Sequence, residues 1–247
     1  MGGTPFTCAN SPWWATNARP PAVVLLPAGT IPISSTWYLP KGTKLVGEGI
    51  GSPVALMSGT GTTIQASSTF PASSYMIQFG TASGCTGVSI ENLTLDGGGT
   101  GASQIVSGIT NSECGDLSHV DHVWLYRILG TGLNVAASGA EHSGPYSNIT
   151  FNTADVSANA PQSTLCASIA ANGTHGFRQI TCTIGQAGAI PTDAILLNGS
   201  NNLLQDIRLE GFQYGIAIGT TGVAVKGNIL KNIDGDSNPS NSAPSVA

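Results

Sequence analysis

Charge is scarce in this 247-residue chain: Asp, Glu, Lys and Arg make up only 9% of it, against about 25% in an ordinary soluble domain. Coiled coils and bundles of surface helices need charged faces, so both are excluded. Basic residues are the scarcest, 8 Lys+Arg against 13 Asp+Glu, and the net charge is −5. Neutralising phosphates takes a basic surface, so no nucleic-acid partner is expected. No apolar run reaches the ~18 residues that a membrane-spanning helix requires, so no membrane insertion is expected. The opening Met1-Gly2-Gly3-Thr4-Pro5 has neither the basic nor the apolar block of a secretory signal. The sequence therefore reads as a mature chain or a piece of a longer one. It has no CxxC or Cys/His spacing for zinc and no clustered Asp/Glu set for Ca²⁺. No metal or other cofactor is expected. Phosphate-binding loops, nucleophile elbows and zincin motifs are also missing.

What is plentiful is Gly, 33 of 247 residues, with many Ser, Thr and Asn. This composition suits a β-rich, turn-rich, extracellular or cell-surface protein. Five cysteines occur, Cys8, Cys85, Cys114, Cys166 and Cys182. In a secreted chain they read as two disulfides and one leftover thiol, with pairing undetermined. Free buried cysteines are the other reading. Residues 236–247, Ser-, Asn-, Pro- and Ala-rich without periodicity, read as a linker-like tail. Residues 1–21 read as an N-terminal extension or cap, and 22–235 as one repeating domain.

The repeat is the strongest signal. Segments starting at Ile90, Val120, Tyr146, Phe177, Leu204 and Leu230 each run apolar, polar, Asn-like, apolar, polar, apolar, except that Gly235 ends the last. The fourth positions are Leu93, Val123, Ile149, Ile180, Ile207 and Ile233, spaced 26 to 31 residues apart. A second strand follows in most periods, as at Gly132–Val135, Ala194–Leu197 and Gly215–Ile218. Alternation means that one face of each strand is buried. Two or three such strands per 26–31 residues make one coil of a solenoid, whose equivalent positions stack as ladders. The Asn-like ladder, Asn92, His122, Asn148, Gln179, Asp206 and Asn232, belongs at bends, where side chains can bond turn backbone. No stretch keeps helical apolar spacing over three turns. The expected fold is all-β: a single-stranded right-handed parallel β-helix (solenoid) of about eight coils.

The segments LPAGT (26–30), LPKGTKLVGEG (39–49) and TTIQAS (62–67) resemble the opening coils of the pectate-lyase-like right-handed parallel β-helix superfamily, which includes extracellular polysaccharide lyases, hydrolases and phage tailspikes. The resemblance spans about residues 22–235 and is specific for fold. It implies a ligand groove along an exposed sheet, with a polysaccharide as partner.

Two outward ladders offer chemistry on that sheet: Glu91, Asp121, Ser147, Arg178, Gln205, Lys231, and Thr94, Trp124, Thr150, Thr181, Arg208, Asp234. Glu91 and Asp121, on adjacent coils, are the candidate acid/base pair for glycoside hydrolysis, which needs two carboxylates about 5–9.5 Å apart. In the lyase reading Arg178 and Arg208 serve as base or clamp. Trp124 and Tyr126 form a candidate platform for sugar rings. His142, in the Gly/Ser/Ala-rich loop 136–145, and Asp155 are the remaining substrate-binding candidates. Asp155 belongs to a partial polygalacturonase-like order, Asn152-Thr153-Ala154-Asp155, Thr174-His175-Gly176, Ile207-Arg208-Leu209, which lacks the paired aspartates. His122, on the Asn-like ladder, reads as a turn residue. The expected function is a secreted or surface protein that binds a polysaccharide and, as an enzyme, cleaves it. The alternative is a non-catalytic structural, adhesin or tailspike-like module, with homo-oligomerisation compatible with either.

Overall fold

The computed structural model describes residues 22–51, 61–80, 84–98, 105–137, 139–152, 164–184, 192–220 and 224–236. Among these there are strands and no helix. The first coils hold β1 (Ala22–Leu26), β2 (Gly29–Ile33), β3 (Trp37–Leu39), β4 (Thr43–Gly47), β5 (Thr62–Ala66) and β6 (Tyr75–Phe79). The repeat then runs through β7 (Ser89–Asp96), β8 (Ser107–Asn111), β9 (His119–Tyr126), β10 (Thr131–Val135), β11 (Tyr146–Asn152) and β12 (Leu165–Ile169). It closes with β13 (Phe177–Thr183), β14 (Asp193–Leu197), β15 (Leu203–Glu210), β16 (Tyr214–Ile218) and β17 (Ile229–Asp236).

All named pairings are parallel. One sheet follows β1-β4-β7-β9-β11-β13-β15-β17, with β2 and β5 joined to it, and a seven-stranded sheet follows β16-β14-β12-β10-β8-β6-β3. Each strand pairs with its equivalent one coil away, so the expected parallel β-helix is the fold observed. It makes about six turns, slightly fewer than the eight coils expected. The end coils are partial: β17 has no counterpart in the second sheet among the described residues.

The long strands of the first sheet are each bent in two. Asn92, His122, Asn148, Gln179, Asp206 and Asn232 all have left-handed φ between 51° and 56°. Pairing runs on either side of them and skips them: Glu91 pairs with Asp121 and Leu93 with Val123. The Asn-like ladder therefore marks the bend as expected, since Asn and Asp tolerate this conformation better than most residues. The first sheet becomes two walls. Wall one contains β1, β4 and the first halves of the long strands. Wall two contains β2, β5 and their second halves. In the two opening coils the corner is a longer connection between separate strands, which explains why the repeat is loose upstream of residue 89.

The core is a set of stacked columns. Leu45, Ile90, Val120, Tyr146, Phe177 and Leu204 follow one another rung by rung, all nearly inaccessible. Leu93, Val123, Ile149, Ile180 and Ile207 form the next column, also buried. Each such side chain contributes roughly 1.5–3 kcal/mol by leaving water. The columns open at the ends: Val24, in line with Leu45, is 41% exposed, and Leu230, in line with Leu204, is 39% exposed. Inside the stack the rings of Tyr146 and Phe177 lie 5.0 Å apart and nearly parallel. The buried Tyr146 hydroxyl is bonded to Ser143 Oγ at 2.8 Å and accepts from Asn111 Nδ2 at 2.9 Å.

Four of the five cysteines pair. Cys85–Cys114 joins turns of adjacent coils, and Cys166–Cys182 links β12 to β13 through the interior. The two-disulfide reading holds; Cys8 and most of the N-terminal and C-terminal segments set apart by sequence lie outside the described residues.

Candidate functional site

β9, His119–Tyr126, carries His119, Asp121, His122, Trp124 and Tyr126 on one strand. His119 and Asp121 point outward from wall one, His122 sits on the corner, and Trp124 points outward from wall two. Alternation fixes this order, since Val120, Val123 and Leu125 are the buried partners.

On wall one, Glu91 and Asp121 are register neighbours, as the sequence ladder required. Each carboxylate is held in its own set of bonds. Glu91 Oε1 accepts from Ser89 Oγ at 2.8 Å and lies 3.2 Å from His119 Nε2. His119 Nδ1 lies 3.3 Å from the Leu117 carbonyl. Asp121 Oδ1 accepts from Ser147 Oγ at 2.7 Å and from Asn148 Nδ2 at 2.8 Å, both on the next rung. Asp121 Oδ2 lies 2.7 Å from His122 Nδ1. Partial burial works against charge on Asp121, but the bonds from Ser147, Asn148 and His122, with the attraction of His122, outweigh it and hold the carboxyl below its ordinary value. An acid that must protonate a leaving group needs the opposite shift, so Asp121 is suited to stay ionised. Arg178 lies two rungs further along the same ladder and is exposed.

Wall two carries the aromatic residues. Trp124 is half-buried, and its Nε1 is buried without a hydrogen-bond partner among the described residues. What the indole shows to solvent is therefore carbon. Its ring lies 5.1 Å from Tyr126, tilted by 56°. Tyr126 is only 3% exposed, which corrects the expectation of a two-ring platform: Tyr126 packs against Trp124 and offers no open face. The Arg127 guanidinium lies 5.1 Å from the centre of the Tyr126 ring. Arg127 Nε donates to Asp96 Oδ1 at 2.8 Å, and a second guanidinium nitrogen bonds Asp96 Oδ2. Asp96 is fully buried and also accepts from Gln65 Nε2 at 2.7 Å and the Gly98 amide at 3.0 Å. This ion pair was missed from sequence; its signal was an acid ending one repeat strand and an arginine directly following the next.

Thr94 was expected to face outward but is buried, because its hydroxyl donates to the Gly51 carbonyl at 2.6 Å. Downstream of Trp124, wall two opens through exposed Thr150, half-buried Thr181, and Arg208, whose guanidinium lies 4.0 Å from Glu210. The bend thus separates the expected catalytic carboxylates and the sugar platform onto two walls that share one corner, and it places Arg178 and Arg208 on different walls. His142 is exposed in a left-handed turn next to Gly173. Asp155 lies outside the described residues. No group of three or more His, Cys, Asp or Glu that would suit a metal occurs among the described residues.

No protein-family model and no curated relative matches the sequence. Among solved structures, the chain is similar to the A-module of mannuronan C-5 epimerase AlgE4 from Azotobacter vinelandii, with 14% identity, 92% of this chain and 91% of that one covered, and a TM-score of 0.35. It is also similar to the AlgE6 A-module of the same organism, with 16% identity, 86% and 70% covered, and a TM-score of 0.41. At these TM-scores neither likeness assigns an activity, and the parallel β-helix rests on the strand register itself.

Proposed function

We propose that the protein is a secreted or surface β-helix protein that binds a polysaccharide along wall two and across the corner to wall one. The observation that carries this reading is Trp124. Its indole is half-buried with carbon turned to solvent, and Tyr126 beside it is backed by Arg127, which pairs with the fully buried Asp96. A pyranose offers a C–H face that stacks on such a ring, and its hydroxyls find Thr150 and Thr181 on the next two rungs. These rungs are ~4.8 Å apart, close to the advance of one sugar in an extended chain. The two disulfides fit an oxidising compartment.

The test is binding to a panel of neutral and acidic polysaccharides by affinity electrophoresis and calorimetry. Retardation by at least one glycan, lost in Trp124→Ala and kept in Trp124→Phe, supports the reading. Absence of binding across the panel, or binding unchanged in Trp124→Ala, overturns it. Reducing-end release in the same assay tests glycosidic cleavage by Glu91 and Asp121. That cleavage would need the proton donor on Glu91, since Asp121 is held ionised.

A further inference from the structure

His122 is the exception on its ladder. The other five corner residues are Asn, Asn, Gln, Asp and Asn, all in the same left-handed bend. Four amides and one carboxylate adopt the same bend, so the bend does not require an imidazole. Its surroundings define its chemistry. Asp121 accepts only, so the 2.7 Å contact fixes the proton of the neutral ring on Nδ1. Asp121 is itself fixed by two donors from the next rung. The lone pair of Nε2 is left available: the His122 side chain is 53% exposed, and Nε2 meets no partner among the described residues. Two residues along the strand stands Trp124.

We infer that His122 is a catalytic general base, that Asp121 is its positioning residue, and that the pair hydrolyses an O-acyl ester on the glycan stacked at Trp124. The inference rests on the glycan-binding reading above. Ester hydrolysis is favoured over glycosidic cleavage because it needs one proton shuttle rather than two separate carboxyl groups. In the first step a water oxygen bonds to the acyl carbon while its proton passes to Nε2. The resulting tetrahedral species collapses, the bond from acyl carbon to sugar oxygen breaks, and that oxygen takes the proton back from Nε2. The products are the free sugar hydroxyl and a carboxylic acid, and no reactant other than water is consumed. Asp121 holds the tautomer and stabilises the transient imidazolium, the role a buried aspartate plays beside a catalytic histidine elsewhere.

The experiment uses the full chain with acetylated xylan, its chemically deacetylated counterpart and 4-nitrophenyl acetate, with acetate release followed by NMR. Wild type is expected to release acetate from the acetylated polymer. His122→Asn restores the corner amide found on neighbouring rungs and should fold, as circular dichroism would verify. Its release should fall by roughly 10²–10⁴-fold, the usual contribution of a general base. Asp121→Asn should lower kcat with KM little changed while its circular dichroism and melting temperature stay those of wild type, which separates lost positioning from a lost active fraction. Trp124→Ala should raise KM for the polymer. No acetate from either ester, or release unchanged in folded His122→Asn, overturns the inference. Binding of the deacetylated polymer is scored separately. If it persists while release fails, the ester chemistry is wrong and the glycan reading stands; if it is absent, the glycan reading falls first.

Discussion

Tyr146 shows what one buried polar atom does in this fold. Burial raises its hydroxyl pKa to about 12, against the smaller lowering effects of the bonds to Ser143 and Asn111. The folded value therefore lies above the unfolded value of about 10. The stability this gives is complete below pH ~10 and is lost as pH rises through 10 towards 12, because the unfolded chain releases the proton first. Thermal melts across that window should show an alkaline fall that is smaller in Tyr146→Phe. At neutral pH the same variant should be less stable by roughly 1–3 kcal/mol, since Asn111 and Ser143 lose a buried partner. Asp121 behaves in the opposite sense. Its folded value is lowered, so its contribution is present above the ordinary carboxylate range and fades as pH falls below it.

Among the elements, the bent strand decides most of the structure. Asn92→Gly should be tolerated, whereas Asn92→Val should cost about 1–2 kcal/mol, the usual penalty for a Cβ-bearing residue held in the left-handed region; urea denaturation would read the difference. Gly132 on β10 is constrained by space: a Cβ there would lie 2.6 Å from Phe151 Cδ2 and 2.7 Å from the Cys166 carbonyl oxygen. Gly132→Ala should therefore destabilise by about 1–3 kcal/mol through overpacking. Much of this architecture was legible in sequence. The apolar positions recur in the same order around Leu93, Val123 and Ile149, and the Asn-like residue immediately before each falls where the chain turns. The candidate site was less legible. Alternation says which side chains leave the core, but not what lies over them. Thr94 is covered by the Gly51 carbonyl, and Tyr126 sits beneath Arg127; both covers come from residues outside the repeat pattern. The bend itself was expected, but its geometric consequence, that Asp121 and Trp124 occupy different walls, follows only from the left-handed φ at His122.

For the molecule as a whole, stability should be shared along a stack in which each coil touches mainly its neighbours. The disulfides add covalent constraint at two points, with sequence separations of 29 and 16 residues. In the chain-entropy view each is worth roughly 3 kcal/mol. Reduction should lower the melting temperature, and the Cys85→Ser/Cys114→Ser and Cys166→Ser/Cys182→Ser double variants should each account for part of that fall in calorimetry.

The corner residues also divide the chain into strict and permissive places for changes of length. From Asn92 onward the corner is a single residue, yet the repeat length varies between 26 and 31. All of that slack is taken up at the other edges of the coil. An insertion there lengthens a loop and leaves every later strand in phase. One added residue at His122 would instead put wall two out of phase on that rung, sending Val123 towards water and Trp124 towards the core. New chemistry can therefore accumulate at the permissive edges by adding length, whereas along this ridge it can enter only by exchange of one side chain for another.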